Sequence, residues 1–350
     1  MDELLSVLQR IAPEFSRVVE ERYAILRNIR FVQPVGRRVL AARLAQPERA
    51  VRRELDVLRE RGLVQAEVDG VRLTPDGESV LDLLGDYFRR LRGLVELEKL
   101  LAARLELEKA IVVPGDSDND ASVKRELGRA AGRLLRDILK DGQIMAVTGG
   151  TTIAEVANAI SFGGWKTDAT VVPARGGLGE DVEKQANTVA ALLAKKLGGS
   201  YRLLHAPDDL SEESLASVSS EPRIREILEL VRSADIVLHG IGTAEEMARR
   251  RGMSAGQIAR LEELGAVGEA FGYYFDRLGR PVHVTSSVGL KLEDLGRIGT
   301  VIAVGGGASK AEAVVAVMSH HYQDILVTDE GAARRIISGG ARLAPQPDPS

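Results

Sequence analysis

The chain has 350 residues, of which 44% are hydrophobic and only 4% aromatic, a length and composition suited to a globular protein of about two or three domains. It contains no cysteine, which excludes disulfides, thiol nucleophiles and Cys-ligated zinc or iron–sulfur centres. The formal net charge is −4, no run approaches membrane-spanning length, and residues 1–10 read as a short acidic amphipathic helix rather than a basic leader, so the expected location is the cytoplasm.

Charge is unevenly spread. Between Arg22 and Gly62 stand eleven arginines against four acids, Glu48, Glu54, Asp56 and Glu60, so this segment is expected to meet something anionic. Tyr23, Ile25, Leu26 and Ile29 recur at helical spacing before Pro34. Val39, Leu40 and Leu44 mark a second short helix, Ala45-Gln46 a tight turn, and Pro47 the first residue of a third. In that third helix Val51, Leu55 and Leu58 form the apolar stripe. Arg49, Arg52 and Arg53 fall together on the opposite face near its start, where a recognition helix carries its base-reading residues. Gly62 closes the helix. Val64, Ala66 and Val68 then alternate into Asp69-Gly70, a type I′ hairpin signal, and Val71 and Leu73 return. The pattern is a winged helix-turn-helix over residues 1–75, with Arg72 on the wing and Arg37 and Arg38 placed to hold phosphates.

Residues 76–107 are expected to form one long helix. Val80, Leu84, Tyr87, Leu91, Leu94, Leu101 and Leu105 follow four-three spacing, a helix-pairing seam suited to joining two protomers, although Gly85 and Gly93 weaken it. Residues 108–345 change texture to strands alternating with helices. Apolar runs occur at Ala110–Val113, Ile144–Val147, Ala169–Val172, Tyr201–His205, Ile236–His239, Val282–Thr285, Val301–Val304 and Ile325–Thr328. This spells a parallel α/β sheet of Rossmann-like type with ligand-binding loops at its carboxyl edge.

The loop most suited to a ligand follows the run at Ile144–Val147. Gly149-Gly150-Thr151-Thr152 opens a helix on which Ile153, Val156, Ala157 and Ile160 are the apolar face. A glycine turn with free backbone N–H groups, a helix dipole and two hydroxyls makes a phosphate site. Gly305-Gly306-Gly307 before Lys310 is a second anion-friendly loop, and Arg175, Arg250 and Arg251 are further cations near strand ends, so two phosphates could be accommodated. Gly305 to Lys310 lacks the second glycine of a Walker A loop, and Gly240-Ile241-Gly242 lacks the third small residue of a dinucleotide fingerprint, so neither ATP nor NAD is supported.

Several stretches together resemble the SorC family of sugar-responsive bacterial transcriptional regulators. They are Gln33-Pro34-Val35-Gly36-Arg37-Arg38, Gly149-Gly150-Thr151-Thr152, Ala174-Arg175-Gly176-Gly177, His239-Gly240-Ile241-Gly242, Glu269-Ala270-Phe271-Gly272 and Gly305 to Lys310. The resemblance covers both domains. It implies a C-terminal domain similar to glucosamine-6-phosphate deaminases and ribose-5-phosphate isomerases, with fructose-1,6-bisphosphate as effector and no cofactor. It assigns effector binding to Gly149, Gly150, Thr151, Thr152, Arg175, Gln185, Arg250, Glu269 and Lys310. By chemistry the threonines and arginines suit phosphates, and Gln185 and Glu269 suit sugar hydroxyls. The implied protein is a cytoplasmic repressor, a dimer or tetramer on operator DNA, that controls the triose half of glycolysis and is released by the bisphosphate.

The rival expectation is an isomerase or deaminase on the same fold. Such chemistry needs a base beside a carbonyl and a group to ferry the proton. After Gly242 the chain reads Thr243-Ala244-Glu245-Glu246-Met247 without the working histidine of the deaminases. Only Glu269 and His239 remain as conceivable acid–base groups, and His320-His321 has no partner ligand for a metal. A regulator without catalysis is the expected function.

Overall fold

Two compact units divide the chain, residues 1–95 and 96–350, and a computed structural model describes residues 11–160, 166–177, 181–206 and 211–340. The short helix expected at residues 1–10 lies outside them.

In the first unit, helices α1 (Pro13–Val32), α2 (Arg37–Arg43) and α3 (Glu48–Glu60) precede strands β1 (Val64–Glu67) and β2 (Gly70–Leu73) and helix α4 (Pro75–Leu91). Ile25, Leu26, Ile29, Leu40, Val51, Leu55, Leu58 and Leu81 form one buried core, which is the helix-turn-helix stripe read from the spacing. Pro47 is the N-cap of α3 rather than its first residue. Val35 bridges to Val71 with N–H···O bonds of 3.1 and 2.9 Å, so the residue after Pro34 pairs with the free edge of β2 in the wing. A side chain at Gly70 would meet the Val35 backbone at 2.7 Å, which is why that position is glycine. The hairpin differs in detail from expectation. Glu67 pairs with Gly70, so the two-residue turn is Val68-Asp69 instead of Asp69-Gly70. The alternation also fails, since Ala66 and Val68 are exposed and only Val64 is buried.

The expected continuous helix over 76–107 is two helices, α4 and α5 (Leu94–Leu105), separated at Gly93, whose φ is +65°. A left-handed residue cannot continue an α-helix, and glycine adopts that conformation without steric cost. α4 belongs to the first unit, with Leu81 in its core.

The second unit is built on a seven-stranded sheet in the order β3-β13-β12-β7-β4-β5-β6, with every pairing parallel. Its strands are β3 (Lys109–Val113), β4 (Ile144–Val147), β5 (Thr170–Pro173), β6 (Ser200–Tyr201), β7 (Ile236–Gly240), β12 (Thr300–Val304) and β13 (Ile325–Asp329). The apolar runs read from sequence supply these strands, except that 201–205 contributes only its first residue. Buried on both faces, such strands are near-continuous in Val, Ile and Ala. Helices α6 (Ser122–Ile138), α7 (Thr151–Ala159) and α8 (Ala186–Leu197) share one core cluster with Met145, Val147, Ile236, Leu238, Ile302 and Val327. From β4 the chain runs outward through β5 and β6, then returns to the other side of β4 as β7. The gap between the carboxyl ends of β4 and β7 is therefore the point where strand order reverses, the usual place for a ligand.

Helices α9 (Glu212–Ser220) and α10 (Pro222–Arg232) lead into β7, and helices α11 (Ala244–Arg250) and α12 (Ala255–Glu263) follow it. One sheet was not read from the sequence. Strands β8 (Gly242–Thr243), β9 (Ala266–Ala270), β10 (Tyr273–Asp276) and β11 (Pro281–Val284) form a separate antiparallel sheet in the order β11-β10-β9-β8. The run at Val282–Thr285, expected in the parallel sheet, lies here. The exposure of Pro281, His283 and Val284 on β11 explains the difference, because a strand of an all-parallel sheet is covered on both faces. Helices α13 (Ala311–Met318) and α14 (Glu330–Arg335) complete the described α-helices.

Candidate functional sites

A cleft of about 870 Å³, counted out to its open mouth, sits at the strand-order reversal. Gly149, Gly150, Thr151, Thr152, Arg175, Gln185, Arg250, Glu269 and Lys310 all line it, so residues separated by more than half of this domain's sequence converge on one cavity. The floor is held by two bonds across the reversal. Thr148 N–H donates to Leu238 O at 3.0 Å, and Gly240 N–H donates to Thr148 Oγ1 at 3.2 Å.

The glycine loop owes its shape to close approach. A Cβ at Gly149 would lie 2.5 Å from Lys184 O, and Gly150 has φ +112°. Gly150 N–H is taken by Lys184 O at 2.8 Å. The N–H groups left for a ligand are therefore those of the first turn of α7, which have no intrahelical acceptors. They come with the positive end of the helix dipole and the two threonine hydroxyls.

The opposite wall comes from the antiparallel sheet. Pairing of β8 with β9 sets Glu269 across from Gly242. Glu269 is 4% exposed and its Oε1 accepts from Gly272 N–H at 2.6 Å and from Arg251 Nη2 at 2.9 Å, with Arg175 Nη1 at 3.8 Å. Gly272, at φ +85°, is the only residue type that leaves room for the Arg175 guanidinium there. Arg251 also donates to Tyr274 Oη at 3.0 Å. A carboxylate so fixed is a strong acceptor for a sugar hydroxyl. Sequence reasoning placed Arg251 only near a strand end. Its role in orienting Glu269 depends on β9 and β10 being paired, which the local pattern does not reveal. Glu246, Asp181 and Lys184 were likewise missed as cleft residues. Lys184 forms an ion pair with Asp181 at 2.5 Å, and this hydrogen bond holds the Asp181 carboxyl below its usual range.

The second glycine loop is different from expectation. Gly307 N–H donates to Asp329 Oδ2 at 2.7 Å, Ser309 N–H to Asp118 Oδ2 at 2.7 Å and Ala308 N–H to Asp116 Oδ1 at 3.3 Å. The loop's donors are thus taken by the chain's own carboxylates, and only Lys310 beyond it reaches the cleft. What this stretch offers the cleft is the Lys310 side chain.

Of the two conceivable acid–base groups, Glu269 lines the cleft and His239 does not. His239 is fully buried, and its Nδ1 lies 3.1 Å from Gly240 O. Burial pushes its pKa down to about 4, so the ring is neutral near pH 7 and is packed on Phe271 at 4.5 Å rather than placed in the cleft. His320 stacks on Tyr322 just past the end of α13. Among the described residues no group of His, Asp or Glu could hold a metal ion.

In the first unit Arg49, Arg52 and Arg53 are exposed on α3. Arg53 Nε reaches Glu54 at 3.1 Å, and Arg22 reaches the same carboxylate at 3.0 Å. Burial pushes the Glu54 carboxyl up, but the two arginines outweigh it and hold its pKa below the usual value. Arg37 and Arg38 both face Glu48, at 2.7 and 3.4 Å. Arg72 is tied to Glu67 at 2.6 Å and Asp69 at 3.4 Å on the wing. Arginines thus stand on α2, on α3 and on the wing of this unit, several of them paired with neighbouring carboxylates. No helix among the described residues is long and apolar enough to cross a membrane.

Comparison with known proteins agrees with this division. A family model described as a sugar-binding domain matches residues 89–338, and one described as the CggR N-terminal DNA binding domain matches residues 18–88. The chain is 43% identical over 337 residues to the central glycolytic genes regulator of Bacillus subtilis, spanning 96% of this chain and 99% of that protein. Among solved structures, a SorC family transcriptional regulator from Enterococcus faecalis superposes with a TM-score of 0.64 at 41% identity, over 69% of this chain and 99% of that one. The full-length sorbitol operon regulator SorC of Klebsiella pneumoniae shares the fold, with a TM-score of 0.64 at 16% identity over 92% of this chain and 98% of that one. The chain, matched by these two models over residues 18–338 and by the Bacillus regulator over 96% of its length, belongs to the SorC family of sugar-binding transcriptional regulators.

Proposed function

We propose that this regulator is a cytoplasmic repressor of a glycolytic operon, and that fructose-1,6-bisphosphate bound in the cleft releases it from its operator. The observation that carries the effector is the pairing, in one cavity, of an open helix N-terminus at Thr151-Thr152 with the separate cations Arg250 and Lys310. Two anionic groups can then be held at once, with Gln185 and Glu269 in the same cleft as partners for hydroxyls. A monophosphate leaves one of these positions unused. The glycolytic target rests on the likeness to the Bacillus regulator. The exposed arginines of α3 read bases while Arg37, Arg38 and Arg72 hold phosphates. A palindromic operator calls for a homo-oligomer, a dimer or a tetramer. Ligand and DNA oppose each other by linkage, each weakening the other equally.

Calorimetry with fructose-1,6-bisphosphate, fructose 6-phosphate and glyceraldehyde 3-phosphate, combined with gel shifts on a fragment upstream of a glycolytic operon, tests this reading. The bisphosphate should bind most tightly and dissociate the DNA complex without being consumed. Tighter binding of a monophosphate, or a DNA complex indifferent to the bisphosphate, overturns it.

A further inference from the structure

Helix α11 begins with the sequence Thr243-Ala244-Glu245-Glu246, and Thr243 Oγ1 caps it by accepting from Glu246 N–H at 3.3 Å. A glutamate at this third position ordinarily turns its carboxylate back to the N–H of the capping residue, closing a reciprocal box. The next helix does so, with Ser254 and Gln257 making both bonds. Glu246 instead extends into the cleft, where its Oε2 lies 3.2 Å from Lys310 Nζ. Lys310 is only 16% exposed, and Glu246 42%, so the pair stands at the rim with its cation turned inward.

A carboxylate in a cleft that gathers cations is at odds with anion binding unless it has a purpose. A ligand phosphate that engages Lys310 must displace Glu246 and then lie beside a like charge. We infer that Glu246 is a specificity-determining residue, an internal anion that competes with the ligand's phosphate for Lys310 and sets the concentration at which the regulator responds. Only an anion also anchored at Thr151-Thr152 or Arg250 then fills the site, and lone anions such as inorganic phosphate are held off. On this view the Lys310 charge is balanced by Glu246 until the ligand arrives, and the ligand exchanges one ion pair for another.

The inference rests on the sugar-phosphate reading of the cleft, and one experiment separates the two. The full chain, Glu246→Gln, Lys310→Ala and the double variant are titrated calorimetrically with fructose-1,6-bisphosphate, inorganic phosphate and unphosphorylated fructose. Glu246→Gln should tighten binding of both phosphates by about three- to tenfold, a range between an exposed and a charge-assisted pair. That gain should vanish when Lys310 is already alanine, since the interaction is between the two side chains. Fructose should be indifferent to either change. Weaker bisphosphate binding by Glu246→Gln would make Glu246 a hydroxyl acceptor, and an equal gain without Lys310 would remove the competition; either result overturns the inference. Absence of bisphosphate binding by the unaltered chain would instead overturn the reading on which it rests.

Discussion

The loops after β4 and β12 are alike in sequence and opposite in use. Each is a glycine turn entering a helix at the carboxyl edge of the same sheet, and β7 alone separates their strands. After β4 the first-turn N–H groups of α7 open on the cleft beside Thr151 and Thr152. After β12 the equivalent donors are occupied by Asp329, Asp118 and Asp116, which come from β13 and from the segment following β3. N–H groups taken out of water must find acceptors somewhere. One loop leaves that to a ligand, and the other is closed by the fold itself. The difference teaches that a glycine loop with a helix behind it is a site only where no carboxylate of the chain has already filled it.

The contrast is broken most severely at Asp329. Its carboxylate is fully buried and accepts from Gly307, Ser117 and Ala332 N–H at 2.7, 2.9 and 2.9 Å. Asp329→Ala leaves those donors without acceptors and should cost about 3–5 kcal/mol of stability, read as a lower urea midpoint. A midpoint shifted by less than a third of that would mean the loop is not held by its internal anion.

On the open loop's side of the comparison the loss should appear in ligand affinity, with stability nearly unchanged. Arg250→Ala removes a guanidinium able to fork onto a phosphate and should weaken fructose-1,6-bisphosphate binding by about 2–4 kcal/mol, bringing bisphosphate and monophosphate sugars close together. Thr152→Val keeps the side chain's shape and deletes one hydroxyl. A bond to a charged phosphate is worth about 1.5–3 kcal/mol, so affinity should drop roughly ten- to a hundredfold. Calorimetry on both variants checks this, and wild-type affinity in the two would move the effector site away from α7.

The smallest effect belongs to the strand between the loops. His239 on β7 has its pKa depressed to about 4 by burial, whereas the unfolded chain takes up the proton near the ordinary value. Stability is therefore complete above about pH 6.5 and falls as pH drops toward 4, by roughly 2 kcal/mol at pH 5. Urea unfolding of the wild type and His239→Gln across that range should show a flatter acid limb in the variant. Parallel pH profiles would place the acid sensitivity elsewhere.

The amino-acid sequence by itself determined what depends on neighbours along the chain. Val51, Leu55 and Leu58 opposite Arg49 and Arg52 suffice for a recognition helix, because one turn of helix brings residues three and four apart together. Unbroken apolar runs such as Ile144–Val147 and Ile236–His239 suffice for covered parallel strands. Gly149-Gly150 before two threonines suffices to propose an anion-binding turn. The tertiary structure alone decided what depends on distant partners. It broke the helix at Gly93 and moved the run at Val282–Thr285 into an antiparallel sheet. It also turned Arg251 onto Glu269, set Glu246 against Lys310, and closed one glycine loop with Asp329 while leaving the other open. A charged group's role is set by which opposite charge lies within a few ångströms of it, and for residues 18 to 191 positions apart that distance exists only once the sheets have formed.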